Sequence, residues 1–148
     1  MNDKFTSFSD LLRGALGAQL KGGAEIADLF TEDVVFEFPY APEGLPRRLD
    51  GLTALKGHLT RLGPILELRE FTLHAVHFSE KAVVFEFSCD GQGLATGLPY
   101  DQDYISVVSL REGRISYYRD YWNPLVVLSA LGGAQTAATA YAGEATDE

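Results

Sequence analysis

An aspartate near the end of the chain, Asp120, occupies a position that suits proton transfer. Residues 115–122 read ISYYRDYW, an alternating aromatic pattern that is typical of a half-buried β-strand. Every second side chain of a strand shares a face, so Asp120 falls between Tyr118 and Trp122. Aromatic rings on both sides shield a carboxyl group from water, which raises its pKa and suits it to general acid or base catalysis. Asp120 is therefore the candidate catalytic residue.

The same pattern has a structural alternative. Asp120 could be a surface residue that pairs with Arg119 or Arg114, a contact that is typically worth under about 1 kcal/mol. Aspartate is seldom buried, which favours a surface position for an aspartate taken at random. The two aromatic neighbours favour a buried position, and the strand residues alone leave both open.

Aromatic side chains elsewhere in the sequence are candidates for binding a flat, apolar ligand beside this carboxyl group. Tyr118, Trp122, Tyr40 and Tyr104 could stack on such a ligand or donate hydrogen bonds to it. Plain core packing is the commoner role of any one aromatic residue. We predict that these four side chains contribute to substrate binding.

Two further polar residues are candidates for the same site. Glu37 lies between two phenylalanines in the strand VVFEF, so the rings and the carboxylate face opposite ways, and we expect Glu37 to reach the pocket. His74 shares a strand face with Val76 and is a possible second base, although a hydrogen-bonded structural imidazole is the commoner case.

Composition and motifs argue against several classes of partner. The formal net charge is −9 and no cluster of Lys and Arg is present, so we expect neither a nucleic acid nor a membrane surface as a partner. No glycine-rich loop joins a strand to a helix, which argues against a nucleotide cofactor. His74 and His77 are expected on opposite faces of one strand, so we expect no metal site.

The cysteine content and the apolar runs bear on cellular location. The chain has one cysteine, Cys89, which cannot form an internal disulfide, and its phenylalanine neighbours predict a buried thiol. No signal peptide is evident at the N-terminus, and the apolar runs are far shorter than the roughly 20 residues that cross a bilayer. A cytoplasmic location is therefore expected.

The elements that must position these residues change character along the chain of 148 residues. Apolar residues at helical spacing predict three helices, over residues 5–20, 24–30 and 51–62. Alternating segments predict strands over residues 34–38, 66–78, 82–90, 98–110 and 115–122, with a turn at 111–113. Helices followed by long strands with short turns predict an α+β fold with a curved antiparallel sheet. Residues 5–131 form a single domain in this interpretation, and residues 132–148 form a mobile tail.

The strand over residues 103–110 carries apolar side chains on both faces. Ile105 and Val107 share one face, and Val108 and Leu110 share the other. A sheet whose second face is also apolar needs cover, which three short helices cannot supply on both sides. This pattern predicts a homodimer that forms through the sheet.

Three segments together resemble the SnoaL-like branch of the nuclear-transport-factor-two-like superfamily. They are VVFEFP, LPYDQDYISVVSLREGRI and YYRDYWNPLVVLSAL, and the similarity spans roughly residues 8–132. The resemblance implies a cone of antiparallel sheet wrapped around three N-terminal helices and enclosing a mostly apolar pocket. Members include polyketide cyclases, ketosteroid isomerases, limonene-epoxide hydrolase and phenazine-biosynthesis proteins, so the fold alone does not assign a function.

The resemblance places one catalytic residue and leaves others unmatched. Asp120 matches the acid or base of the epoxide hydrolase and of the cyclases. The Arg and Asp of the epoxide hydrolase fall in the segment 86–89, EFSC, which has neither. The isomerase base precedes the proline of the first strand, where this chain has Phe38, and Phe38 is taken as a substrate-contacting residue. Asp103 and Ser106 match the isomerase's oxyanion donors only if the strand register shifts.

Two functions remain open from the sequence. The first is a cofactor-independent acid/base enzyme of isomerase, cyclase or hydrolase type, which acts on a small hydrophobic cyclic or polyketide-like substrate through Asp120. The second is a non-catalytic module of the same fold that binds a hydrophobic ligand or dimerises. The aromatic-flanked carboxylate favours the enzyme, and the unmatched partner residues favour the module.

Overall fold

A single mixed β-sheet of seven strands dominates the computed structural model, which describes residues 2–143. The strands are β1 (Asp3–Phe5), β2 (Phe30–Glu37), β3 (Arg48–Asp50), β4 (Leu66–Phe78), β5 (Val83–Gly93), β6 (Gln102–Arg111) and β7 (Arg114–Trp122). Their order across the sheet is β1-β4-β5-β6-β7-β2-β3. The predicted α+β class is confirmed, and the segment 66–78 is a strand with the predicted bounds.

One strand pair departs from the antiparallel sheet that the sequence predicted. β2 pairs with β7 in parallel, with Phe36 opposite Tyr118 and Glu37 opposite Arg119. Short turns favour antiparallel pairing, but β2 and β7 are separated by most of the chain, so no hairpin constrains their relative direction. The sheet is therefore mixed.

The N-terminal half contains two α-helices where three helices were predicted. They are α1 (Phe8–Leu16) and α2 (Leu52–Leu62). The predicted helix over residues 24–30 is only a short 3₁₀ helix, Ile26–Leu29. Its C-terminal neighbour Phe30 already belongs to β2 and is buried in the core, which leaves no room for another helical turn.

Two helices follow β7 in the C-terminal segment. Helix α3 (Pro124–Leu131) begins after Asn123, whose side-chain oxygen accepts a hydrogen bond from the backbone N–H of Leu125 at 2.9 Å. Helix α4 (Ala134–Ala142) follows and buries Ala137. Residues 144–148 of the predicted tail lie outside the described residues.

Each described helix is shorter or more polar than a helix that crosses a membrane. Across residues 2–143, no single helix is both long enough and apolar enough to cross a bilayer. Only α3 and α4 taken together reach that length and composition, and a bend of 76° separates them.

The tight hairpin between β6 and β7 sets the register at the candidate catalytic residue. Glu112 and Gly113 have φ angles of 52° and 82°, as in the type I′ turn that joins twisted antiparallel strands. This turn was predicted from the sequence. A register shift between Ser109 and Leu110 then leaves Ser116 as an additional residue in β7 and places Ser106 directly opposite Asp120.

A β-bulge in β4 reverses the predicted orientation of a histidine. Leu73 pairs with Phe87 and Ala75 pairs with Glu86, so His74 is an additional residue in its strand. The bulge leaves His74 exposed on the outer face of the sheet, the face away from the helices, where it bonds Ser88. His74 therefore does not share the inward orientation that strict alternation predicted.

The inner face of the sheet packs on α1 and forms the core. The ring of Tyr118 stacks on that of Phe36, with centroids 4.2 Å apart and planes 7° apart. Phe85 meets the Tyr118 ring edge-on, and Leu11 and Leu12 of α1 are fully buried. These contacts fix the strand on which Asp120 lies.

Two glycine substitutions test the packing of α3 on the sheet. A Cβ atom at Gly93 would lie 2.1 Å from the carbonyl oxygen of Ala130 in α3, whereas one at Gly57 in α2 would meet no atom within 4 Å. We expect Gly93→Ala to lower the free energy of unfolding by about 2–4 kcal/mol, because α3 must move away. Gly57→Ala should raise it by up to about 1 kcal/mol through helix propensity. Urea unfolding followed by circular dichroism measures both, and equal effects would contradict this packing.

Candidate active site

A cavity of about 150 Å³ lies between the inner face of the sheet and the helices. Its wall is mostly apolar, with phenylalanines from the strands and leucines from α2. Six residues with polar atoms also line it: His58, Tyr100, Tyr104, Asp120, Trp122 and Tyr141. The cavity thus combines an apolar wall with a few polar groups, as ligand sites usually do.

Asp120 is the carboxylate in this wall. It is only 8% exposed, and burial raises the pKa of its carboxyl group to about 8. Its Oδ1 atom accepts a hydrogen bond of 3.1 Å from the Ser106 hydroxyl, which opposes the shift but does not cancel it. A carboxyl group with a pKa near 8 populates both its protonated and its ionised form near neutral pH, so it can exchange a proton with a substrate.

A short chain of hydroxyl groups holds Asp120 in place. Ser106 is fully buried, and its Oγ atom lies 2.7 Å from the Tyr118 hydroxyl. Since Ser106 donates to Asp120, the Tyr118 hydroxyl is the donor to Ser106. The register of β6 and β7 brings all three residues together from two paired strands. Within residues 2–143, Asp120 Oδ2 has no hydrogen-bond partner, so this oxygen is available to a ligand.

Two further hydroxyl groups line the cavity, one from β6 and one from the segment before it. The hydroxyl oxygens of Tyr100 and Tyr104 are 2.9 Å apart, and the Cys89 thiol donates to the Tyr104 hydroxyl at 3.7 Å. Burial raises the pKa of both tyrosines, to which the charge of Asp120 adds. The hydroxyl groups therefore stay protonated. One of them donates to the other, and the remaining O–H group can donate a hydrogen bond to a developing oxyanion.

The cysteine of this cluster is not a nucleophile. Cys89 is 4% exposed, and burial raises the pKa of its thiol to about 11. A thiol is reactive as the thiolate, which is scarce at neutral pH when the pKa is raised in this way. Its contact with Tyr104 orients the tyrosine hydroxyl.

Helix α2 contributes a histidine to the opposite side of the cavity. The Nδ1 atom of His58 lies 2.8 Å from the Tyr141 hydroxyl of α4. Burial lowers the pKa of His58 to about 4, so its imidazole is neutral at physiological pH. Its ring packs against Phe38, with centroids 5.0 Å apart.

The structure places some of the sequence candidates at the cavity. Phe38, Tyr104 and Trp122 line it together with Asp120. Tyr118 lies on the same strand face but is completely buried behind the wall, where its ring stacks on Phe36 and its hydroxyl meets Ser106. Tyr118 thus contacts the residue that holds Asp120 rather than the cavity.

Three candidates lie elsewhere. Glu37 is turned to the outer face, because its neighbours in β2 point inward, and its carboxylate accepts hydrogen bonds from Tyr117 and Arg48. Tyr40 is 59% exposed and packs edge-on against Tyr121. His74 is moved outward by the bulge in β4.

Three residues of the site were not proposed as site residues from the sequence: Tyr100, His58 and Tyr141. Ser106 was named only as a conditional match to an oxyanion donor. The turn alone does not predict the contact between Ser106 and Asp120, because counting straight back from it pairs Ser106 with Arg119. A register shift between Ser109 and Leu110 moves the pairing by one residue. Tyr100 lies in an irregular segment, where no periodicity indicates which way a side chain points. His58 and Tyr141 are 83 residues apart, and no local pattern relates them.

No metal centre is formed by the part of the chain that the structure describes, since no three His, Cys, Asp or Glu side chains are grouped to hold an ion. The prediction had placed His74 and His77 on opposite faces, but the bulge puts both on the outer face. There they bond Ser88 and Glu86 respectively.

Comparison with solved structures identifies the fold. A candidate isomerase from Bacillus subtilis is 43% identical, with a TM-score of 0.71 over 83% of this chain and 87% of that one. A protein of ketosteroid isomerase-like fold from Catenulispora acidiphila, in complex with trimethylamine, is 17% identical, with a TM-score of 0.64 over 87% of this chain and 96% of that one. A candidate SnoaL-like polyketide cyclase from Mesorhizobium loti is 20% identical, with a TM-score of 0.59 over 77% and 92%. The last two likenesses concern the fold alone.

Sequence relatives and a family model agree with the structural likeness. The uncharacterised protein YesE of Bacillus subtilis is 50% identical over 109 residues, which cover 72% of this chain and 74% of YesE. An uncharacterised PhzA/B-like protein of Pseudomonas aeruginosa is 44% identical over 115 residues, 75% of this chain and 79% of its own. The model of the SnoaL-like domain matches residues 19–118, which ends just before Asp120 and assigns that residue no role. The chain belongs to the SnoaL-like domain family.

Proposed function

We propose that this protein is a cofactor-independent acid/base enzyme for a small hydrophobic cyclic or polyketide-like substrate, with Asp120 as the proton-transferring group. The observation that carries the proposal is a single buried carboxyl group, with a pKa near 8 and one free oxygen, in the wall of an apolar cavity. Such a group can accept and return a proton at neutral pH.

The proposed reaction is a proton shift next to a carbonyl group. The Asp120 carboxylate takes a proton from the carbon beside the carbonyl, and the electron pair of the broken C–H bond moves to the carbonyl oxygen as an enolate. Hydrogen-bond donors in the cavity wall are suited to stabilise that charge. Asp120 then returns the proton to the same or another carbon, which gives exchange or isomerisation. Proton transfer by one positioned residue typically contributes about 10²- to 10⁴-fold.

The size and composition of the cavity support an apolar substrate. An engineered apolar cavity of about 150 Å³ binds benzene, so the present cavity suits a six-membered ring without rearrangement. Aromatic wall residues such as Phe38 and Trp122 are suited to stack on such a ring. Similarity to a candidate isomerase at 43% identity also favours a proton shift.

Replacement of Asp120 by asparagine tests its chemical role. Asp120→Asn keeps the size of the side chain and an oxygen that can accept from Ser106, but it removes the titrating carboxyl group. We expect protein-dependent exchange of the α-protons of cyclohexanone in D₂O, followed by ¹H NMR, to fall by about 10²- to 10⁴-fold. Asp103→Asn on the outer face should leave the rate unchanged. Equal rates for wild type and Asp120→Asn would refute the assignment.

The pKa of Asp120 also predicts how stability depends on pH. The folded-state pKa of about 8 lies above the ordinary aspartate pKa of 3.8, so the folded protein holds this proton more tightly than the unfolded chain. Its contribution to the free energy of unfolding is therefore complete below pH 4 and is lost as pH rises to about 8. We expect wild type to lose stability relative to Asp120→Asn by roughly 1 kcal/mol per pH unit between pH 5 and 7. Urea unfolding at each pH measures the difference, and a constant difference would contradict the raised pKa.

A ligand-binding module without catalysis is the second candidate. The apolar wall favours it, as does the presence of Phe87 in the segment where the epoxide hydrolase carries an Arg–Asp pair. Native mass spectrometry of the purified protein separates the two functions. A stoichiometric small molecule retained by a protein without exchange activity would favour the module.

A homodimer through the outer face of the sheet is a further part of the proposal. Ile105 is 46% exposed there and lies opposite Tyr121, whose ring contacts that of Tyr40. A second copy would cover these apolar side chains.

A charge placed on this face tests the proposed dimer. We expect Ile105→Lys to shift wild-type dimers to monomers in sedimentation velocity, because the ammonium group would be desolvated in the interface. Leu94→Lys is a control, since Leu94 is 45% exposed in the loop after β5 and is not part of the outer sheet face. A wild-type protein that is monomeric at all concentrations tested would refute the proposal.

A further inference from the structure

We infer that His58 binds a carbonyl oxygen of the ligand through its Nε2–H group, with Tyr141 of helix α4 setting the imidazole tautomer. This inference rests on the proposed function only in taking the cavity as the ligand site, and it does not depend on proton transfer by Asp120. The inference gives helix α4 a role in orienting a ligand-binding residue. It also restricts the class of ligand to apolar carbonyl compounds.

The contact between His58 and Tyr141 determines which ring nitrogen carries the proton. Their Nδ1 and Oη atoms are 2.8 Å apart. A phenol is a better donor than a neutral imidazole, and an imidazole nitrogen is a better acceptor than a phenol oxygen. The tyrosine hydroxyl therefore donates to Nδ1, and the proton of the ring lies on Nε2. Among the described residues Nε2 has no hydrogen-bond partner, although His58 lines the cavity.

Burial keeps this histidine a neutral donor rather than a cation. The pKa of His58 is lowered to about 4 by desolvation. A neutral imidazole can polarise a carbonyl group through its N–H and stabilise the enolate that forms. His58 is thus suited to the carbonyl end of the reaction.

Tyr141 is held in place from two sides of α4. Arg61 on α2 donates to the Tyr141 carbonyl oxygen at 3.0 Å, and its guanidinium group lies 5.4 Å from the centre of the Tyr141 ring. On the other side, the loop after β2 packs so closely that a Cβ atom at Gly44 would lie 2.5 Å from the side chain of Ala138. The hydroxyl that orients His58 is therefore part of a packed helix.

One ring of the cavity wall, Phe38, contacts both His58 and the aromatic neighbour of Asp120. The Phe38 ring contacts His58 at 5.0 Å and Trp122 at 6.1 Å, and Trp122 follows Asp120 on the same face of β7. His58 and Asp120 both line this apolar cavity of about 150 Å³. In the inferred complex, a cyclic ketone in the cavity bonds His58 through its oxygen while Asp120 faces a carbon next to the carbonyl.

Two probes that differ only in the carbonyl group test the inference. Cyclohexanone and methylenecyclohexane have the same ring and nearly the same shape, but only the ketone accepts a hydrogen bond. Dissociation constants come from ¹H–¹⁵N NMR titrations of the full chain. We expect His58→Leu to weaken cyclohexanone binding about tenfold relative to methylenecyclohexane, the usual loss for one hydrogen bond. His77→Leu, on the outer face, should leave the ratio unchanged.

A conservative variant supplies a second readout should His58→Leu fail to fold. Long-range ¹H–¹⁵N spectra of the wild-type imidazole should show the His58 proton on Nε2. Tyr141→Phe should yield a mixture of tautomers and part of the loss of carbonyl preference, whereas Tyr40→Phe should alter neither. A proton on Nδ1 in wild type, an unchanged binding ratio in His58→Leu, or no binding of either probe would each overturn the inference.

The test of His58 can be distinguished from the test of catalysis by Asp120. Asp120→Asn should keep the preference for the ketone that His58→Leu loses. A carbonyl preference without any α-proton exchange would support the role of His58 and refute catalysis by Asp120. Exchange that survives in His58→Leu, together with an unchanged binding ratio, would support catalysis by Asp120 and refute the role of His58.

Discussion

The burial of one carboxyl group, Asp120, beside a single hydrogen-bond donor is the constraint on which the site depends. Ionisation is costly in this environment because the wall is apolar and only Ser106 compensates the charge. The protein does not remove this cost with an arginine or a metal ion among the described residues. The result is a carboxyl group that is poised near neutral pH, and its position is fixed because Ser106 and Tyr118 are locked in the paired strands.

The remaining polar groups of the cavity are arranged around this carboxyl group in separate contacts. The Tyr100 and Tyr104 hydroxyls bond each other at one side, and His58 bonds Tyr141 at another. Each pair satisfies part of its own hydrogen-bonding capacity and keeps some for a ligand. A ligand that enters therefore meets oriented donors, so little reorganisation is required when charge develops on it.

The two faces of the sheet have different roles. The inner face carries the core and the cavity, whereas the outer face carries paired charges such as Glu37 with Arg48 and partly exposed apolar side chains such as Ile105. Among the described residues, the buried carboxyl group lies on the inner face. The outer face is free to contact a partner, and a charge there is screened by solvent.

The sequence by itself determined the strands that carry the site, since alternation and turn residues are local signals: it placed Asp120 between two rings and paired β6 with β7 at the 111–113 turn. Tertiary structure decided what local patterns do not encode. A bulge turned His74 outward, and the burial of Phe36 against Tyr118 turned Glu37 outward. The packing of α4 near α2 brought Tyr141 to His58. The physical reason is that alternation fixes which side chains share a face, whereas long-range packing fixes which face is buried.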